Sequence, residues 1–322
     1  MDEFSVIRRY FAGLTAAQTG VILGIGDDCA LLQLSAGEQL ALTTDTLVAG
    51  RHFPLQTTPY DIGWKALAVN LSDLAAMAAT PRWFTLALTL PEVDEGWLTA
   101  FAFGLKALAD NYGVALVGGD TTRGPLSLTL TAMGTLPSAD LATRRDGAKP
   151  GDVIAVTGTL GDGALALQRL DKASPADADE AWLRARLDRP SPRCEAALAL
   201  RGLVHAAVDI SDGLAADLGH ILTASGCGGL IDAALLPRSS AFIKLADAAT
   251  ANAQQLHGGD DYELCLCIST QHFQQAQALC KVTGTALTAI GQISAETGLR
   301  ILQGGQIKPL AATGFNHFAA SA

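Results

Sequence analysis

The sequence predicts an α/β (α+β) protein with two domains. Strand-like and helix-like patterns alternate along its 322 residues, of which 49% are hydrophobic and 17% charged. Such a chain can bury a sizeable core and is not intrinsically disordered. A stretch rich in turn residues, 137–152, interrupts the pattern near the middle. We therefore expect an N-terminal domain over 1–137 and a C-terminal domain over 138–322.

Apolar spacing and turn residues predict the elements of the first half in order. Proline at position 59 begins the longest helix, and Thr80-Pro81 closes it. A Gly-Gly-Asp loop is expected at 118–120. The predicted elements are a helix at 3–14, a strand at 38–44, helices at 59–79 and 95–111, and strands at 84–90, 114–117 and 126–134.

The second half continues the alternation. Its predicted elements are a strand at 153–157, a glycine-rich turn at 158–163 leading into a helix, a charged surface helix within 171–193, a strand at 204–210, a helix ending near 225, and a hairpin at 301–310. The turn at 158–163 either holds an anion on its backbone N–H groups or is a tight structural turn. The residues alone leave both interpretations open.

Charge and cysteine usage exclude several classes of protein. The net charge is −10, so no basic surface is available to follow nucleic-acid phosphates. No apolar run approaches the roughly 18 residues that would span a bilayer. The six cysteines contain no CxxC pair, which indicates reduced thiols, and the acidic start Met1-Asp2-Glu3 does not resemble a secretory signal. We therefore expect a cytoplasmic protein that binds neither nucleic acid nor membrane.

Aspartate is unusually frequent, with 24 Asp against 8 Glu. It recurs beside Gly, Ser or Thr in five motifs that we place just past strand ends, at 26–28, 43–46, 118–122, 209–213 and 258–261. Any one of them could be an Asx turn or a helix cap. Together with Asp73, a carboxylate inside an apolar helix, they favour an oxygen-rich Mg²⁺ site. The residues themselves favour Asp28, Asp45, Asp73 and Asp120 as ligands.

Six motifs occur in a fixed order and carry a family resemblance: GIGDDCA, TTDTLVAGRHF, AVNLSDLAAM, GGDTTRG, DISDGL and GGDDYEL. Together they closely resemble the thiamine-monophosphate kinases, which belong to the superfamily of aminoimidazole ribonucleotide synthetase and selenophosphate synthetase. The resemblance spans nearly the whole chain. It implies an N-terminal domain that binds ATP and Mg²⁺ and dimerises through its sheet, and a C-terminal α/β domain that completes the ATP and substrate site. A homodimer that uses ATP and several Mg²⁺ ions to phosphorylate thiamine monophosphate is expected.

Individual residues follow from the matching motifs. The resemblance implies as metal ligands Asp28, Thr43, Thr44, Asp45, Asp73, Asp120, Asp209 and Asp212. It implies as ATP contacts Gly119, Asp120, Arg145 and Ser211, with Phe103 as a looser match. It implies as contacts of thiamine monophosphate His52, Asp260 and Phe315.

This chain departs from the family pattern in one motif, and in another segment two adjacent arginines are candidates for the same ATP contact. The family usually has Gly-Gly-Glu-Asp where this chain has Gly-Gly-Asp-Asp, so Asp260 reaches one methylene less toward the substrate. Arg144 could replace Arg145, since the two are adjacent. From the residues alone, His52 could contact a substrate anion, but a surface or capping histidine is the commoner case.

The implied chemistry needs no general base, because the acceptor is already an anionic phosphate oxygen. Catalysis would rest on metal-assisted positioning of two phosphates in line. Two alternatives stay open: an ATP-dependent synthetase of the same superfamily, and a non-catalytic nucleotide- or thiamine-phosphate-binding protein. His52 and the GGDDYE motif favour the kinase over the synthetase, and the intact ligand motifs argue against the binding protein.

Overall fold

The computed structural model describes residues 2–16, 18–170, 175 and 177–315. They form two compact units, one from the described residues of 1–74 and 79–141, the other from those of 75–78 and 142–322. Each unit contains its own mixed sheet. The predicted α/β (α+β) fold class is confirmed. None of the described helices is both long enough and apolar enough to cross a bilayer.

The first unit is built on a four-stranded sheet in the order β3-β6-β4-β5, in which only β4 and β5 run parallel. A separate antiparallel ribbon joins β1 and β2. In chain order the elements are α1 (Glu3–Val6), a π-helical stretch (Ile7–Phe11), β1 (Val21–Leu23), β2 (Leu31–Leu32), β3 (Gln39–Val48), α2 (Pro59–Ala76), β4 (Thr80–Leu90), α3 (Glu95–Tyr112), β5 (Ala115–Arg123) and β6 (Ser127–Leu136).

Local chemistry explains where the two long helices begin and end. Thr58 and Asp61 cap α2 reciprocally, because Asp61 N–H donates to the Thr58 hydroxyl and that hydroxyl donates to the Asp61 carboxylate. The Asp94 side chain accepts from the Trp97 N–H at the start of α3, and Gly113 ends it in the left-handed conformation. The two helices pack closely, since a Cβ at Gly104 would lie 1.9 Å from the Tyr60 carbonyl oxygen.

The second unit is built on a seven-stranded sheet in the order β13-β12-β9-β11-β7-β10-β8. All neighbours are antiparallel except β9 and β12. After a 3-10 turn (Ala139–Leu141), the elements are β7 (Val153–Thr157), α4 (Asp162–Gln168), α5 (Ala178–Asp188), α6 (Cys194–Ala199), β8 (Val204–Ile210), α7 (Leu214–Ser225), β9 (Gly228–Asp232), a 3-10 turn (Ala233–Leu235), α8 (Ser240–Leu245), α9 (Ala251–His257), β10 (Glu263–Ile268), α10 (Phe273–Val282), β11 (Leu287–Ser294), β12 (Gly298–Gln303) and β13 (Gln306–Pro309).

Several predicted elements are confirmed, the β12–β13 hairpin among them, and other details of the prediction are wrong. The helix at 3–14 is α-helical only over Glu3–Val6 and becomes π-helical to Phe11. Strands β3 and β5 run on past their predicted ends. The motif at 258–261 follows α9 and precedes β10, so it does not follow a strand. Helix α5 is not a purely surface helix, since it buries Leu183, Leu187 and the charged Arg186; residues 171–174 and 176 of that segment lie outside the described residues.

Candidate functional site

The Gly-Gly-Asp motif lies inside β5 and not in a loop after it. Gly119 pairs with Leu86 of β4, and Asp120 pairs with Ala87. Gly119 has a φ of +150°, and a Cβ there would lie 1.9 Å from the Leu86 carbonyl oxygen. Only glycine allows so close an approach of two backbones. The expected loop is therefore a strand, and Asp120 is held in it by backbone pairing.

Gly119 and Asp120 line a pocket of about 830 Å³ within the first unit. The loop between β1 and β2 forms another wall with Gly26 and Asp28, and residues of the N-terminal helical segment complete it. Within that loop the Asp28 N–H donates to the Asp27 carboxylate at 2.9 Å, so Asp27 shapes the turn. A pocket of this size suits a small-molecule ligand. The structure thus brings Asp28, Gly119 and Asp120 together.

A second pair of carboxylates forms where α2 meets β3. The Thr43 hydroxyl donates to the Asp73 carboxylate, which offsets the cost of placing that carboxylate on an apolar helix. Burial raises the pKa of Asp45 to about 6, and the negative charge of Asp73 adds to the increase. Two neighbouring carboxylates that repel each other in this way are a favourable place for a cation.

The threonines of β3 divide between the two faces of the sheet. Because side chains alternate along a strand, Thr43 and Asp45 share one face and Thr44 lies on the other. There the Thr44 hydroxyl pairs with the Thr131 hydroxyl at 2.9 Å. Thr44 would therefore have to reach a metal on the Asp45 side through its backbone carbonyl and not through its side chain.

The donor set fits Mg²⁺ in its chemistry, since it consists of carboxylate, hydroxyl and carbonyl oxygens. Within the described parts of the chain, no three or more His, Cys, Asp or Glu side chains are grouped closely enough to hold a metal ion. Mg²⁺ commonly takes one or two protein carboxylates and completes its shell with water and substrate phosphates. The pairs found here are consistent with that mode of binding.

His52 caps the end of β3. Its Nδ1 accepts a hydrogen bond from the Val48 N–H at 2.9 Å, so the proton of the neutral ring lies on Nε2. The ring therefore has the capping role that the residues alone left open, and its Nε2–H is the donor it could offer a ligand. Phe103 projects from α3, is 65% exposed and contacts Tyr60. It is not among the described residues that line the pocket.

The two adjacent arginines differ in what they contact. The Arg144 guanidinium makes a bidentate pair with the Asp146 carboxylate, at 3.0 and 2.7 Å. The Arg145 carbonyl accepts from the Ser225 hydroxyl, which fixes its backbone. Its exposed guanidinium forms no hydrogen bond or ion pair with any residue in the described part of the chain. Arg145 is thus the better placed of the two to bind an anion.

Three segments meet in the second unit and bring together Ser211, Asp212, Asp260 and Phe315. The Asp260 N–H donates to the Ser211 carbonyl at 3.0 Å, and the Phe315 N–H donates to the Asp212 carbonyl at 3.0 Å. Asp209 precedes them as a buried residue of β8, paired with Leu264. These two backbone bonds join residues that are 49 and 103 positions apart in the sequence.

Asp217 shapes the Ser211–Asp212–Gly213 turn, a role that the sequence motifs did not predict. Its Oδ2 accepts from all three N–H groups of that turn at 3.1 Å. Burial raises the pKa of Asp217 to about 7, the Asp212 charge adds to the increase, and the N–H donors oppose it. The signal that could have revealed this role is an acid in the first turn of a helix that follows a Ser-Asp-Gly sequence.

We expect the Asp217→Asn variant to show a flatter dependence of stability on pH. The pKa of Asp217 is raised on folding, so its protonated form is favoured and stability falls as pH rises from about 4 to about 7. Asparagine keeps the acceptor oxygen but cannot ionise. Urea unfolding in the presence of a chelator should show the wild type losing about 3 kcal/mol more than the variant across that range. Parallel pH profiles would contradict this account.

The turn at 258–262 is strained and is fixed by one buried carboxyl group. Asp260 and Tyr262 both have positive φ, +66° and +49°. Asp261 between them is buried, and its carboxylate accepts from the Gly161 N–H at 2.9 and 3.0 Å. Burial raises the pKa of Asp261 well above its usual value. The Gly158–Gly163 segment therefore binds this internal carboxylate, and of the two readings open for it, the tight structural turn is supported.

Comparison with known proteins places these features in a family. The model of the AIR synthase related protein, N-terminal domain, matches residues 26–136, and that of the C-terminal domain matches residues 149–303. The thiamine-monophosphate kinase of Salmonella typhimurium strain LT2 is 49% identical over 98% of this chain and 98% of its own.

Solved structures support the same family relationship. Thiamine-monophosphate kinase from Stenotrophomonas maltophilia K279a superposes with a TM-score of 0.84 at 50% identity, covering 88% of this chain and 91% of its own. The structure of AaThiL complexed with AMPPCP and TMP gives a TM-score of 0.80 at 30% identity, covering 91% and 92%. With such identity over almost the whole length of both chains, this chain belongs to the thiamine-monophosphate kinase family of AIR synthase related proteins.

Proposed function

We propose that this chain transfers the γ-phosphoryl group of ATP to the phosphate of thiamine monophosphate, which yields thiamine diphosphate and ADP in the last step of thiamine diphosphate biosynthesis. The relatives named above are thiamine-monophosphate kinases, and one related structure holds an ATP analogue together with TMP. The observation that carries the proposal is the pocket lined by Asp28, Gly119 and Asp120, because its two carboxylates could hold Mg²⁺ beside a ligand rich in phosphate.

The reaction brings two phosphate anions together, and their repulsion sets the catalytic problem. Two unit charges 4 Å apart repel by roughly 4 kcal/mol at an effective dielectric constant of about 20. Mg²⁺ would supply charge neutralisation and would hold both phosphates in line. We propose that Mg²⁺ ions are held in the first unit by Asp28, Asp45, Asp73 and Asp120, with Thr43 and the Thr44 carbonyl. In the second unit the proposed ligands are Asp209 and Asp212.

The remaining proposed contacts bind the two substrates. Gly119 and Ser211 would contact ATP. Arg145 would pair with the ATP phosphates, because its guanidinium has no hydrogen bond or ion pair among the described residues. The same role for Phe103 rests on resemblance alone. His52 would donate from Nε2 to the phosphate of thiamine monophosphate, since its Nδ1 is occupied. Asp260 and Phe315 would contact the same substrate. None of these groups acts as a general base.

A direct assay tests the proposal. The protein is incubated with ATP, Mg²⁺ and thiamine monophosphate, and the products are resolved by chromatography. We expect thiamine diphosphate and ADP in equal amounts, and neither when the metal is chelated. Inorganic phosphate in place of thiamine diphosphate would indicate the synthetase alternative. Binding of nucleotide without any ADP would indicate the non-catalytic binding protein.

We further propose a homodimer formed through the first unit. Strand β3 is at the edge of its sheet, and its outward face carries three exposed apolar side chains, Leu40, Leu42 and Val48. Leu42 is 61% exposed, which is unfavourable on a long edge strand unless another surface covers it. Sedimentation equilibrium at micromolar concentration tests the assembly, and a monomer would contradict it. A cytoplasmic location and a domain boundary between residues 137 and 138 are likewise proposals.

A further inference from the structure

The last described segment of the chain, residues 311–315, is docked on the second unit as a strap. Before it, Leu310 packs against the core of the unit. At its end the Phe315 N–H donates to the Asp212 carbonyl, and a Cβ at Gly314 would lie 2.3 Å from that same carbonyl oxygen. A glycine is needed for so close a contact. The strap is therefore fitted to the turn that begins α7.

His257 makes the side-chain contact to the middle of the strap. Its Nδ1 lies 2.8 Å from the carbonyl oxygen of Thr313. Because a carbonyl oxygen only accepts hydrogen bonds, Nδ1 carries the proton and donates it. The imidazole is half-buried at the end of α9. This hydrogen bond joins two segments that are 56 residues apart in the sequence.

The backbone of His257 leads directly into the other substrate-facing segment. Gly258 and Gly259 follow it, and Asp260 comes next. A Cβ at Gly213 would lie 2.8 Å from the His257 carbonyl carbon, so the Ser211–Gly213 turn packs on the same residue. His257 thus contacts the strap through its ring, and its backbone continues directly into the turn that contains Asp260.

We propose that His257 is a positioning residue, which holds the strap so that Phe315 and Asp260 face one ligand. An aromatic ring and a carboxylate together suit a cationic heteroaromatic group, and thiamine contains one in its thiazolium ring. The inference rests on the proposed function for the identity of that ligand. The contact itself, between the His257 imidazole and Thr313, is independent of it.

Two substitutions separate the hydrogen bond from the volume of the side chain. His257→Asn places an amide N–H near the position of Nδ1, whereas His257→Leu fills similar space without a donor. We expect His257→Leu to raise the KM for thiamine monophosphate about five- to tenfold, the cost of one hydrogen bond, while kcat and the KM for ATP change about twofold or less. His257→Asn should recover most of the loss. His272→Leu, at the residue just before α10 in the same unit, is the matched control and should behave as wild type.

A double-mutant cycle tests whether His257 acts through the strap. If it does, Phe315→Ala and His257→Leu should not be additive, and the double variant should resemble Phe315→Ala alone. Additive effects would overturn the proposal. So would a His257→Leu variant with an unchanged KM, or one with a general loss of activity that His257→Asn does not restore.

Hydrogen exchange gives a measurement that does not depend on activity. The Phe315 amide is protected by its bond to Asp212, so it should exchange faster in His257→Leu than in the wild type or in His257→Asn. Equal exchange in all three proteins would also overturn the proposal. If the wild type has no kinase activity but the exchange rates differ as expected, then the proposed function fails and the positioning role of His257 stands.

Discussion

The Asp73→Asn variant should lose about 100-fold or more in turnover while it keeps its fold. Asparagine retains the oxygen that accepts from the Thr43 hydroxyl, so the packing of α2 on β3 has no reason to change. It removes the negative charge that, with Asp45, would hold a cation. The apparent KM for Mg²⁺ should therefore rise as well. Initial rates of ADP release across a Mg²⁺ titration provide the measurement.

Asp61→Asn is the matched control for this experiment. Asp61 lies in the first turn of the same helix, where it accepts from the Thr58 hydroxyl. Its substitution should leave turnover and the Mg²⁺ dependence unchanged. Thermal unfolding of both variants would detect a loss of fold. If Asp73→Asn turned over at the wild-type rate, Asp73 would have no place in the metal site.

Glu263→Gln should destabilise the protein by about 3–5 kcal/mol, because it breaks a buried ion pair by removing one side. The fully buried Glu263 carboxylate accepts from Arg193 at 2.6 and 2.5 Å, from Arg186 at 2.8 Å and from the Thr157 hydroxyl at 2.7 Å. Burial alone would raise its pKa, but the charges and hydrogen bonds of these partners lower it. Glutamine leaves two arginines without their carboxylate. The urea midpoint at neutral pH gives the measurement.

Glu296→Gln provides the comparison, since it removes the same charge from an exposed ion pair. Glu296 pairs with Arg300, and its side chain is 78% exposed. Surface pairs of this kind contribute less than about 1 kcal/mol. We therefore expect Glu263→Gln to lower the free energy of unfolding several times more than Glu296→Gln does. Equal midpoints would show that the Glu263 cluster does not stabilise the fold.

The elements with strong local signals could be predicted from the sequence. Helix α2 begins at Pro59 as expected, and the Gly304-Gly305 hairpin has both glycines at positive φ. Strand ends were less predictable. Thr43 to Asp45 read as a polar end to β3, but β3 continues because every residue from Gln39 to Val48 pairs with β6. Backbone pairing with a distant strand overrides the local polarity.

The candidate site was likewise predicted only in part. The motifs pointed to Asp28 and Asp120, which the pocket brings together. The groups that stabilise the site were not predicted, because their hydrogen-bond partners are remote in the sequence. Asp261 accepts from Gly161, which is 100 positions away. No local pattern reveals a contact of that kind.

The structure also gives a reason for the shorter acid at position 260. Its φ of +66° is a left-handed conformation, which aspartate adopts more readily than most residues because its short side chain can interact with the nearby backbone. A longer glutamate would reach further but would fit this conformation less well. The substitution within the motif thus agrees with the geometry of the turn.

The position of β7 in the large sheet determines the order in which the two units can fold during synthesis. The strands of the first sheet all lie between Gln39 and Leu136, so that sheet can form as soon as this part of the chain has left the ribosome. Strand β7 follows soon after, but it pairs only with β10 and β11, more than a hundred residues later. Contacts so distant in sequence form slowly. The second unit must therefore wait, with the apolar strand β7 unpaired, until nearly the whole chain has been made.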